Sequence, residues 1–210
     1  MTVEQSLVAY FAAAAILTIT PGVDTALILR TTTAEGTKQA IGAGLGVALG
    51  LLTWGCIVAV GLGELLAASQ FAYTALRWIG ATYLLYLGAK MLLKPRSAIT
   101  APESAAPTKN KAVAPWFARG LLNNLLNPKI GVFYVSFLPQ FVPLGVSVGP
   151  WTFMLAAIHA GQVLLWFALL IGASVPLRRF LSRPKVVRSL DRVTGAVFIA
   201  FGAKLALSKT

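Results

Sequence analysis

Residues 39–63, QAIGAGLGVALGLLTWGCIVAVGLG, run for 25 residues without a charged side chain. About 20 apolar residues are enough for a helix to cross the hydrocarbon core of a bilayer. A second uncharged run, residues 130–177, spans 48 residues and contains one histidine, His159. It is long enough for the end of one span, a connection and another span. Over the 210 residues, 57% are hydrophobic and 11% are charged, and the mean hydropathy is +0.77. A soluble domain carries about 25% charged residues, so this composition cannot clothe a water-facing surface. Backbone inside a bilayer must satisfy its own hydrogen bonds, which makes the spans helices. The fold class expected is an all-α integral membrane protein.

Six transmembrane helices are expected, over residues 5–29, 39–63, 71–93, 116–142, 150–175 and 189–208. Glu64 and the polar pair Ser69–Gln70 separate the second from the third. A stretch rich in Pro, Ser and Lys, residues 94–115, reads as a loop. Pro139, Pro143, Gly145, Gly149 and Pro150 make a tight linker between the fourth and fifth. No stretch is left for a soluble domain, so residues 1–210 read as one transmembrane domain. Three loops on one side hold 14 of the 18 Lys and Arg residues: Arg30 and Lys38; Lys90, Lys94, Arg96, Lys109, Lys111 and Arg119; and Arg178, Arg179, Arg183, Lys185, Arg188 and Arg192. The other side has Arg77, Lys204 and Lys209, and Lys129 falls within a span. The positive-inside rule then places the basic loops in the cytoplasm and both termini outside.

Several function classes drop out. The net charge of +12 lies between apolar spans, not on one soluble face, so the partner expected is membrane lipid and not nucleic acid. The single cysteine, Cys56, rules out an intrachain disulfide and a dithiol membrane enzyme. The first basic residue is Arg30, so the N-terminus lacks the basic start of a signal peptide and its apolar segment is expected to be retained. There is no G-x-S-x-G, no H-E-x-x-H and no cluster of metal ligands. No enzyme, metal or cofactor is expected, and the short loops leave nowhere to mount a soluble nucleotide site. The run Gly42-x-Gly44-x-Gly46-x-x-x-Gly50 lies inside an apolar span and reads as close helix packing, not as a phosphate loop.

The chain also reads as an internal repeat. Gly88-Ala89-Lys90-Met91-Leu92-Leu93 and Gly202-Ala203-Lys204-Leu205-Ala206-Leu207 agree at four of six positions, 114 residues apart. Pro21 and Pro128 correspond at a spacing of 107. Two halves of three spans each have opposite orientation, the inverted-repeat plan of many secondary transporters. The halves are residues 1–93 and 116–210, joined by the loop 94–115.

Chemistry is concentrated where the prolines fall. In Thr20-Pro21-Gly22-Val23-Asp24-Thr25, Pro removes a backbone donor and Gly weakens the helix, so helix 1 is expected to break there. Broken backbone at membrane depth is tolerated only where protein or a water-filled cavity satisfies it. Asp24 sits beside the break, where an ionisable group faces a pathway or a partner, or caps the second half-helix. The matching segment in helix 4 is Gly120-Leu121-Leu122-Asn123-Asn124-Leu125-Leu126-Asn127-Pro128-Lys129. Asn123 and Asn127 are four apart and would share a helix face. Asp24 and Lys129 at opposed breaks would form a buried ion pair or bind the two charged ends of an amino acid. His159 is either a proton carrier or a satisfied buried histidine. Tyr83, Tyr86 and Lys90 read as an interface anchor.

These residues carry a family resemblance over nearly the whole chain. Thr20-Pro21-Gly22-Val23-Asp24, the segment from Gly120 to Lys129 followed by Phe137-Leu138-Pro139-Gln140-Phe141, and Gly80-Ala81-x-Tyr83-Leu84-Leu85-Tyr86-Leu87-Gly88 together resemble the LysE-type translocators, in particular the homoserine/threonine (RhtB) efflux branch. The family usually reads T-P-G-P-D, so Val23 is a departure that predicts a milder break. The resemblance implies export of amino acids or close analogues through the bacterial inner membrane, driven by the proton-motive force. It assigns Pro21, Gly22 and Asp24 to one half of a central site and Asn123, Asn127, Pro128 and Lys129 to the other. Asp24 and His159 are the candidates for proton coupling. The partners implied are a small amino acid, protons and lipid, and a chain of this size suits a homodimer. The alternative on the same architecture is a passive channel or a transporter for another small solute or ion.

Overall fold

The structure is a computed structural model that describes residues 2–68, 70–96, 112–172, 180 and 183–207. Most of the expected basic loop 94–115, with Lys109 and Lys111, lies outside the described residues. So do Ser69, the end of the fifth expected span, Arg178, Arg179, Lys209 and the side chain of Arg77. Every described element is helical.

Helix α1 (Val3–Ile19) starts from a capping box. Thr2 Oγ1 accepts from Gln5 N at 3.2 Å, and Gln5 Oε1 accepts from Thr2 N at 3.0 Å. It stops before Pro21, which holds the preceding Thr20 in extended backbone at ψ 115°. Helix α2 (Val23–Ala34) resumes after an extended Gly22, bent 50° from α1. One proline in this segment is therefore enough for a 50° bend. Gly36, at φ +112°, turns the chain out of α2.

Helices α3 (Thr37–Ala68) and α4 (Gln70–Leu93) follow, then α5 (Ala114–Leu125). The chain breaks again at Leu126 and Asn127, ahead of α6 (Pro128–Val132). Helix α6 runs on as a π-turn, Phe133–Phe137, and a 3₁₀ turn, Leu138–Phe141. Helices α7 (Val148–Gly172) and α8 (Pro184–Leu207) complete the chain. Among the described residues, each of the six expected stretches is largely helical. Helix α3 continues through Glu64, which was expected to end it, because backbone hydrogen bonding outlasts the apolar run. Among the described residues two helical segments are long and apolar enough to cross a membrane, Thr37–Gly61 and Val148–Gly172, and a third is if the bent α1–α2 pair counts as one.

Helix α3 packs against α5 and α7, and α4 against α8. Glycine sets the closeness of the α3–α5 and α4–α8 contacts. A Cβ on Gly46 would overlap the Phe117 carbonyl, and one on Gly120 would overlap the Ala43 carbonyl. Backbone meets backbone there, as the glycine spacing in α3 predicts. On α4 and α8, a Cβ at Gly88 would lie 2.7 Å from the Gly195 carbonyl, and one at Gly195 would lie 2.8 Å from the Gly88 carbonyl.

The irregular end of the fourth segment is held by aromatic packing. Phe137 stacks on Phe133 at 4.5 Å and meets Phe201 of α8 edge-on at 4.2 Å, while Tyr10 of α1 meets Phe141 at 5.4 Å. The Phe141 carbonyl accepts from Ser6 Oγ and, at 2.8 Å, from Trp151 Nε1. The outer surface is apolar in turn. Val8, Val60, Ile79 and Leu165 are 65–70% exposed, which suits a protein whose solvent is hydrocarbon.

Candidate functional site

The two chain breaks face one another across a small cavity between α1, α2, α3, α5, α6 and α7. Extended backbone from Thr20 to Gly22 leaves carbonyls free at the end of α1 and N–H groups free at the start of α2. The carbonyl end of a helix carries partial negative charge and the N–H end partial positive charge. The charged side chains follow that pattern. Lys129 extends from α6 to the end of α1, where Nζ donates to the Leu17 carbonyl at 3.3 Å and the Thr20 carbonyl at 3.4 Å. Asp24 lies in the first turn of α2.

Three asparagine amides converge on the Asp24 carboxylate. Asn123 Nδ2 donates to Oδ1 at 2.6 Å; Asn124 and Asn127 donate to Oδ2 at 3.0 and 3.2 Å. Of the two arrangements open from sequence, the direct ion pair does not form: Asp24 takes amides and Lys129 takes carbonyls. The carboxylate is paired, yet its charge is not cancelled by a touching cation.

Asn123 and Asn127 do meet on Asp24, but not by sharing a helix face. Asn127 lies past the end of α5 in extended backbone (ψ 106°), and its Oδ1 caps α6 by accepting from Lys129 N at 3.1 Å. One side chain therefore ties the second break to the carboxylate at the first. Sequence reading passed over Asn124, which is fully buried. Its place depends on α3: a Cβ on Gly50 would come 2.7 Å from Asn124 Oδ1 and 2.9 Å from its Cβ. The Gly50→Ala variant is expected to push Asn124 off Asp24, losing one hydrogen bond to a charged group, worth about 1.5–3 kcal/mol. A lowered melting temperature of the purified protein checks this.

His159 of α7 lines the same cavity. It is also a satisfied buried histidine, since the Tyr134 hydroxyl lies 3.1 Å from its Nδ1 and both residues are buried. Tyr134 belongs to the π-turn, an element that often marks a functional position within a helix. Pro21, Gly22 and Pro128 shape the breaks; a Cβ on Gly22 would sit 3.7 Å from Lys129 Nζ.

The cavity has a volume of about 30 Å³, room for little more than water. An amino acid does not fit in it as it stands. Two buried atoms on its lining residues, Thr18 Oγ1 and Asn124 Oδ1, have no protein partner. The site therefore offers a polar guest an anion and a cation. A larger groove of about 340 Å³ lies on the other face of α6, lined by Trp54, Ile79, Tyr83, Val132 and Val135 among others. It is apolar and provides nothing for charged ends to bind.

A second charged cluster lies beside the break in α1. Arg96, just past the end of α4, donates through Nε to Asp191 Oδ2 at 3.0 Å and through Nη2 to Asp191 Oδ1 at 2.6 Å. The same Nη2 donates to the Pro21 carbonyl at 2.6 Å. Sequence reading used Arg96 only as a loop charge and did not single out Asp191. A signal was there: of the six acidic residues, only Asp24 and Asp191 fall inside expected spans.

The sequence profile of the LysE type translocator family matches residues 15–209. An uncharacterized membrane protein of Bacillus subtilis strain 168, YrhP, is 33% identical over 97% of this chain and 100% of its own length. A leucine efflux protein of Klebsiella pneumoniae is 28% identical over 94% of this chain and 92% of its own. Another leucine efflux protein, from an Enterobacter species, is 29% identical over 94% and 93%. No solved structure matches the chain.

Proposed function

This chain belongs to the LysE type translocator family, and on that premise we propose that it exports amino acids or close analogues across the bacterial inner membrane, driven by the proton-motive force. It is a transporter and not an enzyme. The observation that carries the reading is the Asp24 carboxylate, held by three asparagine amides opposite the Lys129 ammonium, between two broken helices. A zwitterion suits that pattern: its ammonium goes to Asp24, and its carboxylate to Lys129 and the half-helix N-termini. The leucine efflux relatives extend the candidate substrates from threonine- and homoserine-like molecules to aliphatic amino acids.

Alternating access between two inverted repeats is the proposed mechanism. One pair of contacts supports the repeat. Gly88 packs on Gly195, and Gly202 packs on Ala81, whose carbonyl would lie 3.2 Å from a Cβ at Gly202. Adding the repeat spacing of 114 to Gly88 and subtracting it from Gly195 converts the first contact into the second. The reading includes six spans, cytoplasmic basic loops and external termini. Rocking of one repeat against the other would enlarge the small cavity toward one face at a time. A cavity of this small size also favours alternating access over a standing channel. Proton exchange at Asp24, relayed by His159, couples the cycle to the gradient.

The direct test is efflux of a labelled amino-acid panel from preloaded cells, with and without an uncoupler. The expected result is uncoupler-sensitive efflux of a few amino acids. Efflux of none by well-expressed protein, or efflux indifferent to the uncoupler, would return the reading to a passive channel or another solute. For the relay, His159→Gln is expected to slow net efflux several-fold more than it slows exchange of labelled for unlabelled substrate, because exchange returns no proton.

A further inference from the structure

We propose that Arg96 and Asp191 form a clasp that closes the substrate site on the side of the basic loops, and that transport requires it to open. The proposal rests on the transporter reading above and adds positioning residues that lie outside the Asp24–Lys129 site.

The clasp is built from three parts of the chain. Arg96 follows α4, Asp191 lies in the second turn of α8, and Pro21 is the break in α1. Asp191 is 1% exposed and Arg96 40% exposed, so the pair reaches from the interior to the surface. Asp191 receives both the Arg96 side chain and, at 2.9 Å, the Arg96 backbone N–H. The guanidinium also holds the Pro21 carbonyl, a group that has lost its helical donor because the helix breaks there. One turn along α8, the Thr194 hydroxyl bonds the Thr20 hydroxyl. Helix α8 is therefore fastened to the break at two successive levels. Thr20, in turn, gives its carbonyl to Lys129. The break cannot move away from α8 without losing these bonds, and the cavity beneath is too small for an amino acid while they are made.

The chemistry suits a bond that must be remade in each cycle. A bidentate arginine–carboxylate pair is strong and geometrically selective. With one end at the surface, water can solvate the guanidinium when it lets go, which limits the cost of opening. The neighbouring basic residues Lys94, Arg183, Lys185, Arg188 and Arg192 place this end of the molecule on the expected cytoplasmic side, where an exporter takes up its substrate.

Access of a thiol reagent to the cavity tests this without needing any solute. In a Cys56→Ser background, Val163→Cys puts one thiol on the cavity wall. Labelling by a membrane-impermeant maleimide is then timed in inside-out and right-side-out vesicles. Arg96→Gln and Asp191→Asn are each expected to speed labelling roughly tenfold from the cytoplasmic face alone, the population shift expected when a few hydrogen bonds of one state are lost. Arg96→Gln leaves Asp191 buried and unpaired and could fail to fold; Asp191→Asn leaves no such charge and keeps the test decisive. Unchanged labelling in folded Asp191→Asn protein, faster labelling from both faces, or faster labelling from the outer face alone would each overturn the clasp. If access opens as expected but no amino acid is exported, the clasp stands and the exporter reading fails.

Discussion

Replacing Asp24 by Asn is expected to abolish export while leaving the protein folded in the membrane. The substitution keeps the shape of the side chain, so packing around it is preserved. It removes the negative charge that three asparagine amides now share. An amide at position 24 offers one oxygen to those donors and turns its own NH₂ toward groups that also donate. It also leaves the substrate ammonium without a counter-charge. A hydrogen bond to a charged group is worth about 1.5–3 kcal/mol, so losing one such contact in the loaded state slows transport by roughly 10- to 100-fold. Loss of proton exchange at the same carboxylate adds to this. Initial efflux rates normalised to protein in the membrane check it. Efflux within about twofold of wild type would mean that the carboxylate is only a cap for α2, since loss of a single neutral hydrogen bond can be that small.

The second large effect falls on folding. Gly46→Leu is expected to prevent assembly of α3 with α5. The atoms that a Cβ would meet are the Phe117 carbonyl, its carbon and the Leu121 N–H, all backbone and unable to swing aside. The clash is reciprocal, because Gly120 presses on the Ala43 carbonyl one turn away. Relief requires the two helices to move apart. Overpacking typically costs 1–3 kcal/mol and more where backbone must shift. Gly46→Ala should therefore lower the melting temperature in detergent by several degrees, and Gly46→Leu should leave little folded protein. Fluorescence-detected size exclusion after heating measures both. Gly61, where a Cβ would meet nothing within 4 Å, is the matched control, and Gly61→Ala is expected to have no effect.

What could be read from sequence is what depends on neighbours in the chain. Pro21 and Pro128 mark the breaks because proline acts on the residue before it and on the donor it lacks. Asp24 and Lys129 stand out because charge within an apolar run is rare. The glycines of α3 declared close packing by their spacing, though not which helix they meet. What could not be read depends on how the elements meet. Asn124 looked like the odd member of an Asn123/Asn127 pair until α3 brought Gly50 against it. Asn127 reaches Asp24 from outside the helix that was expected to carry it. The Arg96–Asp191 contact joins residues 95 apart, and α4 and α8 must pack before it exists. Charge counting had already assigned Arg96 to orientation, which hid it as a partner.

Reconstitution of purified protein tests the central claim most directly. Proteoliposomes loaded with labelled amino acids are given an imposed proton gradient, with wild type and Asp24→Asn compared at equal protein content. The account predicts saturable movement of a few amino acids by wild type, faster with the gradient and absent in Asp24→Asn. Folded wild-type protein that moves no amino acid, or movement that Asp24→Asn leaves intact, would contradict it.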